Sequence, residues 1–287
     1  MLSKGFNLEF NQIKLYLQET FKLMKNILVP IGSNNNAANT LQYAIDYVAG
    51  TSAKIYIIKV YGVTKVASSM KNIDAILEED SDKELKDVLL EVDTKEVEII
   101  SKSIKGSIID SIERVSKQLK IDLIISSAKS ISTDEKVYLG KITGGLIKST
   151  DIPILVVPNN YKFKEVSKIM MAVKSGIISA DDALTPLKDM LHRFDSKLDL
   201  IRVITPKRRT ESTELNEELN NLKTNFKTTE NATVFQGVLE HIHESNPDIL
   251  CVIRRKRGFF VRLWEKDRVY KKDFESRIPL LVLKGAF

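Results

Sequence analysis

Asp122-Leu123-Ile124-Ile125, followed 31 residues on by Pro153 in Ile152-Pro153-Ile154-Leu155-Val156-Val157, is the stretch on which the fold turns, because it is written twice. In the second half, Asp248-Ile249-Leu250-Cys251 is followed 31 residues later by Pro279 in Ile278-Pro279-Leu280-Leu281-Val282-Leu283 (279 minus 248 equals 153 minus 122). Each half also opens on a short apolar strand, Ile27-Leu28-Val29-Pro30-Ile31 and Ile169-Met170-Met171-Ala172-Val173. A chain that repeats one unit twice can form an internal dimer. The last strand of each unit is short, apolar and introduced by proline. Such strands make sheet edges that must be paired or covered. Pairing 154–157 with 280–283 would hide both edges within one chain; left unpaired internally, the same edges would support a homodimer.

Working outward, the strands alternate with helical patterns. In the first half, strands are expected near 25–31, 54–60, 96–103, 121–126 and 152–157. The helices between them fall near 34–48, 81–92, 106–115 and 143–148. In the second half, strands are expected at 168–173, 198–204, 232–236, 248–253 and 280–283. Helices are expected at 181–194 and 212–226 and, after Gly237, at 238–243. This alternation predicts an α/β fold: two tandem, doubly wound parallel-sheet domains of Rossmann-like type, associated as an intramolecular pseudo-dimer. The domains run over 24–158 and 168–287, with a polar linker at 159–167. Residues 1–23 form an amphipathic extension, with Phe6, Phe10, Ile13, Leu17 and Phe21 at helical spacing. That segment reads as a helix packed on the body, or as lying upstream of a start at Met24.

Composition narrows the function classes. The chain has 287 residues, 43% of them hydrophobic, which is enough for two ordinary cores. Its single cysteine, Cys251, excludes an internal disulfide and suits a reducing, cytoplasmic setting. An inert strand cysteine is the expectation, not a nucleophile. No run of apolar residues is long enough for a membrane span. The net charge of +6 is local: residues 254–272 hold nine Lys/Arg and two acids, leaving about −1 for the rest.

The order and spacing of Lys25-Asn26-Ile27-Leu28-Val29-Pro30, Gly106 before a helix, Asp122-Leu123-Ile124-Ile125 and Ile152-Pro153-Ile154-Leu155-Val156-Val157-Pro158 resemble the universal stress protein (UspA-type) family in its tandem form. The stretch from Asp248 to Lys284 looks like the second halves of tandem stress proteins from Bacteroidetes-type bacteria. ATP-binding members carry Gly-x2-Gly-x9-Gly-Ser/Thr after the fourth strand, where glycine lets the backbone approach phosphates. The resemblance puts Ser127, Ser130, Gly140 and Lys141 at those positions, so only Gly140 is kept. Pro30 and Ile142 flank the same region, and the family's acidic residue after the first strand falls on Gly32. In the second half the matching residues are Ile253, Lys256, Lys266 and Asp267, with no glycine among them.

Other constellations are weaker. Gly140-Lys141-Ile142-Thr143 resembles the tail of a phosphate-binding loop, but the glycine such a motif needs is Glu135. His241 and His243 are two apart on a helix, which points them away from a shared metal ion; a solvated face is expected for both. No Ser-His-Asp or Cys-His set assembles. Residues 254–272 interleave basic residues with Phe259, Phe260, Trp264 and Tyr270. Core packing with a solvated basic face is preferred there over nucleic-acid or polyanion binding. The expectation is a non-catalytic, regulatory stress-response protein with a degenerate nucleotide site, no required cofactor and an unidentified protein partner. The alternatives are an ATP-binding protein with weak ATPase activity in the first half, and a polyanion binder using 254–272.

Overall fold

The computed structural model describes residues 23–32, 36–62, 73–128, 136–173, 182–204, 215, 217–232, 234–254, 269–270 and 275–284. The extension at 1–22, Ser130 and most of the basic stretch lie outside the described residues. In the first half the elements are β1 (Asn26–Pro30), α1 (Ala37–Val48), β2 (Lys54–Tyr61), α2 (Ile73–Leu90), β3 (Ile99–Lys105), α3 (Ile108–Gln118), β4 (Leu123–Ser127), β5 (Val137–Leu139), α4 (Lys141–Ser149) and β6 (Ile154–Val157). The second half continues with β7 (Lys168–Val173), α5 (Thr185–Arg193), β8 (Lys197–Ile204), α6 (Glu217–Leu222), β9 (Asn225–Glu230), α7 (Val234–Ser245), β10 (Ile249–Arg254), β11 (Val269–Tyr270) and β12 (Leu280–Lys284).

Among the described residues, ten strands form one sheet in the order β3-β2-β1-β4-β6-β12-β10-β7-β8-β9. Pairing is parallel within each half. It turns antiparallel only at the join, where Leu280, Leu281 and Val282 face Val156, Leu155 and Ile154. The two proline-introduced edges are therefore spent on each other, the internal one of the two pairings that the sequence left open. Alternating side chains feed two cores. One face buries Ile27, Val29, Leu123, Leu155, Ile169, Cys251 and Leu281 against α1, α2, α5 and α6. The other buries Leu28, Ile124, Val156, Met170, Leu250 and Val282 against α3, α4 and α7.

The repeated aspartate and proline have matching structural jobs. Asp122 Oδ2 accepts hydrogen bonds from the Lys25 and Asn26 amides, at 2.9 and 3.0 Å, where β1 begins. Asp248 Oδ2 does the same for the Ser167 and Lys168 amides, at 2.8 and 3.0 Å, where β7 begins. The Pro153 carbonyl accepts from Ile124 at 2.9 Å, and the Pro279 carbonyl from Leu250 at 3.0 Å.

Away from the sheet, an aromatic cluster ties the halves together. The segment at 159–167 is docked on the core rather than loose: Val166 is buried, and Tyr161 and Phe163 pack against the first core. Phe163 stands edge-on to Tyr43 of α1 at 5.4 Å and lies 6.0 Å from Phe194, which in turn lies 5.7 Å from Tyr47. Arg193 stacks over Tyr47 at 5.0 Å and pairs at 2.9 Å with Asp189, which also accepts from the Met24 amide at 3.3 Å.

Several expected boundaries move. The helix expected at 81–92 starts eight residues earlier, at Ile73, and its first two turns are largely solvated; Ile76 there is 54% exposed although Ile73, Ile76 and Leu77 stand at helical spacing. Of the helix expected over 212–226, Glu217–Leu222 is helical and Phe226 belongs to β9, while 212–214 and 216 lie outside the described residues. Residues 232–236, expected as a strand, include the start of α7. Gly237 does not open that helix but lies within it, where a Cβ would come 2.7 Å from Val203 Cγ1 of β8. Its glycine permits close helix–strand packing. Cys251 is buried within β10, and burial pushes its thiol pKa well up.

Candidate functional site

Strand β1 sits between β2 and β4, and the connections from these neighbours leave in opposite directions along the sheet. Such a switch point opens a crevice outside the carboxyl ends of the strands, where α/β proteins bind ligands. Here the crevice is small, with a cavity volume of about 100 Å³. Its walls are Pro30, Ile31 and Gly32 after β1, Ile58 and Val60 from β2, Ile108 and Ile112 from α3, Ser126 from β4 and Ile142 from α4. Pro30, Gly32 and Ile142 are thus brought together as the sequence suggested.

The remaining sequence candidates divide. Ser127 is buried at the end of β4, and the crevice wall is instead its neighbour Ser126. Side chains alternate along a strand, so a one-residue shift changes face. The Ser126 hydroxyl lies 3.0 Å from Thr143 Oγ1, which donates to the Ser127 carbonyl at 2.8 Å. Those two hydroxyls stitch β4 to α4. Gly140 caps α4, with its amide donating to the Ala128 carbonyl at 2.9 Å. Its φ of −69° is one any residue adopts, so this backbone does not itself demand glycine. Lys141 is exposed at the first position of α4, and no acid occupies that first turn. The leading amides of a helix have no intrahelical acceptor and favour an anion.

Among the described residues the crevice walls contain no carboxylate, and most are aliphatic. Lys59, on the crevice margin and unremarked in the sequence, has a buried side chain paired with Glu84 of α2 at 2.5 Å. Sequence reasoning missed it because a lysine in an otherwise aliphatic strand gives no motif.

Arg254 ends β10 in the second half. It reaches across to the carbonyl end of α4, donating to the Ile147 and, at 2.8 Å, Lys148 carbonyls and approaching Asp151 at 3.4 Å. Strand β11 pairs with β5, immediately before Gly140. The approach to Gly140 is therefore built from both halves. Ile253 is buried; Lys256, Lys266 and Asp267 lie outside the described residues. His241 is not on a solvated face: it is 7% exposed, while His243 faces solvent. Among the described residues, no group of three or more His, Cys, Asp or Glu could hold a metal ion. No helix among them is long and apolar enough to cross a membrane.

Two α/β halves, joined through one mostly parallel sheet with a crevice at the switch point of the first, define a doubly wound fold of Rossmann-like type. Residues 24–158 match the Universal stress protein family and form a domain of it. The chain is similar in fold to a universal stress protein from Archaeoglobus fulgidus over 93% of its own length and 98% of that chain, with a TM-score of 0.70 and 17% identity. It is also similar to a functionally unknown protein from Pseudomonas aeruginosa, over 91% and 93% of the two chains, at TM-score 0.56 and 13% identity. At these identities the likeness speaks for the fold alone. No curated protein matches the chain.

Proposed function

We propose that both halves are universal-stress-type units and that the protein is a cytoplasmic, non-catalytic regulator of the stress response acting through a protein partner. Its nucleotide site is degenerate. The observation that carries this reading is how the crevice uses its own polar groups. Ser126 and Thr143 bond to each other, the Gly140 amide is committed to Ala128, and among the described residues no carboxylate lines the crevice where a ribose could be held. Phosphate recognition of the glycine-loop type needs inward, uncommitted amides.

A second reading, weak ATP binding with slow hydrolysis in the first half, draws on the acid-free first turn of α4 and on Lys141. The two are separated by a thermal-shift titration with Mg-ATP and by mass spectrometry of the purified protein for bound nucleotide. The degenerate-site reading expects neither a saturable shift nor co-purified nucleotide; either one overturns it, since a native-state ligand must stabilise by mass action. If ATP does bind, Lys141→Ala should weaken it and Ser127→Gly with Ser130→Gly should strengthen it. Polyanion binding by 254–272 would show as an RNA or DNA interaction falling steeply with salt.

A further inference from the structure

The charge of this chain is gathered in two places. Residues 73–98 hold eleven acids and three lysines, a net of −8, against the +7 of residues 254–272. Much of the acidic charge stands on α2, which meets the body through one side. Ser81 and Leu85 are its buried residues, and Val88 and Leu89 pack against the first core. The opposite side is bare. Glu79, Asp80, Asp82, Asp87 and Glu91 are exposed, and none of them takes part in an ion pair among the described residues.

Two apolar side chains share that bare side. Ile76 is 54% exposed and Leu90 85%. They stand fourteen residues apart, close to four helical turns, so they point the same way, with Glu79 and Asp87 between them. Among the described residues the only other exposed large hydrophobic is Ile100, on the edge strand β3 beside α2. Such residues scattered singly need no partner, but these are gathered at one end of the sheet. The carboxyl end of α2 deepens the negative field. Its last turn holds no basic residue to offset the helix dipole, and Glu91 and Asp93 follow directly.

The basic stretch is held on the other face of the sheet. At its start Arg254 bonds the end of α4, and near its end β11 pairs with β5, whose Tyr138 and Leu139 belong to the second core. Helix α2 covers the first core. The opposite charges are thus displayed on opposite faces, where they can answer each other between chains. Composition matches as well: Phe259, Phe260 and Trp264 interleave with Arg and Lys as Ile76 and Leu90 interleave with acids.

We propose that the outward face of α2 is a docking surface for residues 254–272 of a second copy of this chain. Because the two surfaces lie on opposite faces, the contact is heterologous and repeats head to tail. It is independent of the nucleotide question, since no residue of α2 lines the crevice.

Sedimentation of the full chain tests this. At about 0.1 M salt the mass should rise with concentration past that of two chains. At about 1 M salt, where the screening length falls from roughly 10 to 3 Å, it should return to that of one chain. Two variants then isolate the surfaces. One carries Glu79→Gln, Asp87→Asn and Leu90→Ser, all at exposed positions; the other carries Arg255→Gln, Lys256→Gln and Arg257→Gln. Each alone should associate about tenfold more weakly than wild type. Mixed in equal amounts they should form pairs of wild-type strength that stop at two chains, because each keeps the surface the other has lost. Wild type that stays a single chain up to about 1 mM overturns the proposal. So does association indifferent to salt, or a mixture no stronger than its components. A wild-type assembly that stops at two chains also overturns it, since that contact would be two-fold. The wild-type salt series decides the matter even if a variant does not fold.

Discussion

Replacing Asp248 with alanine should damage the protein more than the matching change at Asp122, although the sequence presents the two as copies. Asp122 supports β1 through two amides, from Lys25 and Asn26. Asp248 supports β7 through two amides, takes a third hydrogen bond from the Ser167 hydroxyl at 2.8 Å, and pairs with Lys164 at 2.6 Å. Hydrogen bonds to a charged acceptor contribute roughly 1.5–3 kcal/mol each when a partner is removed from a buried site. Water can reach part of the exposed strand start, so the amide pair at Asp122 is worth about 2 kcal/mol in total. The hydroxyl adds about 1 kcal/mol at Asp248. The lysine, half exposed, adds less than about 1 kcal/mol because solvent screens it. Asp248→Ala should therefore cost about 3–4 kcal/mol and Asp122→Ala about 2 kcal/mol.

Urea unfolding of the two variants side by side measures this, and acid adds a second axis. Burial pushes the Asp248 carboxyl pKa up, but the hydrogen bonds from Lys164, Ser167 and Lys168 outweigh burial and hold it below the ordinary carboxylate value. A depressed acid contributes stability that is full above its unfolded pKa, near ~4, and is lost as pH falls through the lower folded value. Wild type should thus lose stability below about pH 4 more steeply than Asp248→Asn does. An Asp248→Ala variant no weaker than Asp122→Ala, or an acid limb unchanged in Asp248→Asn, would refute this account.

Gly237→Ala should destabilise by about 1–3 kcal/mol, because the new methyl would meet both Val203 methyls, at 2.7 and 2.9 Å, and valine has little rotamer freedom to yield. Gly145→Ala should cost less, since its methyl meets only the movable end of Ile109; thermal melts of the pair test the contrast. Arg193→Met should cost about 3 kcal/mol in chemical denaturation by stranding the buried Asp189 carboxylate at the contact between the halves. Asp189→Asn in that background should recover part of the loss, and no recovery would mean that lost stacking on Tyr47 was the cause.

What could be read from the sequence was what the backbone geometry repeats. The aspartate and proline lie at fixed spacing because each makes one defined hydrogen bond or set of bonds at a strand start, and the internal pairing of 154–157 with 280–283 followed from edge logic. The second half was harder where two periodicities overlap. Leu215, Leu219 and Leu222 continue to Phe226 at helical spacing, yet Phe226 is the second residue of a strand and packs on the first core from there. The site was half legible. Pro30, Gly32 and Ile142 fell in the crevice, but Ser127 turned to the other side of β4 because a strand's faces alternate. His241 was read as solvated from its neighbour His243. The signal that could have corrected this was Val238 three residues earlier, which puts His241 on the buried stripe of α7.

Fusion of two such units explains how the halves could drift apart without losing the fold. The join is made by Leu155 and Leu281, both fully buried, facing each other across antiparallel strands, and by the aromatic contacts of Tyr43, Phe163 and Phe194. None of these lies in the crevice walls or beneath α7. Residues that set strand starts and the seam are constrained in both halves, since a change at either is felt across one continuous sheet. Residues beneath α3 and α7 are not held by the join, and there the halves differ: Val115 and Tyr56 in the first stand where His241 and Asp199 stand in the second. In a symmetric assembly of identical units, a polar change beneath α7 would be imposed beneath α3 as well, where Tyr56 and Leu119 pack against the core. The tandem chain removes that penalty, so polar residues can stand there in one half while the other keeps its apolar contacts.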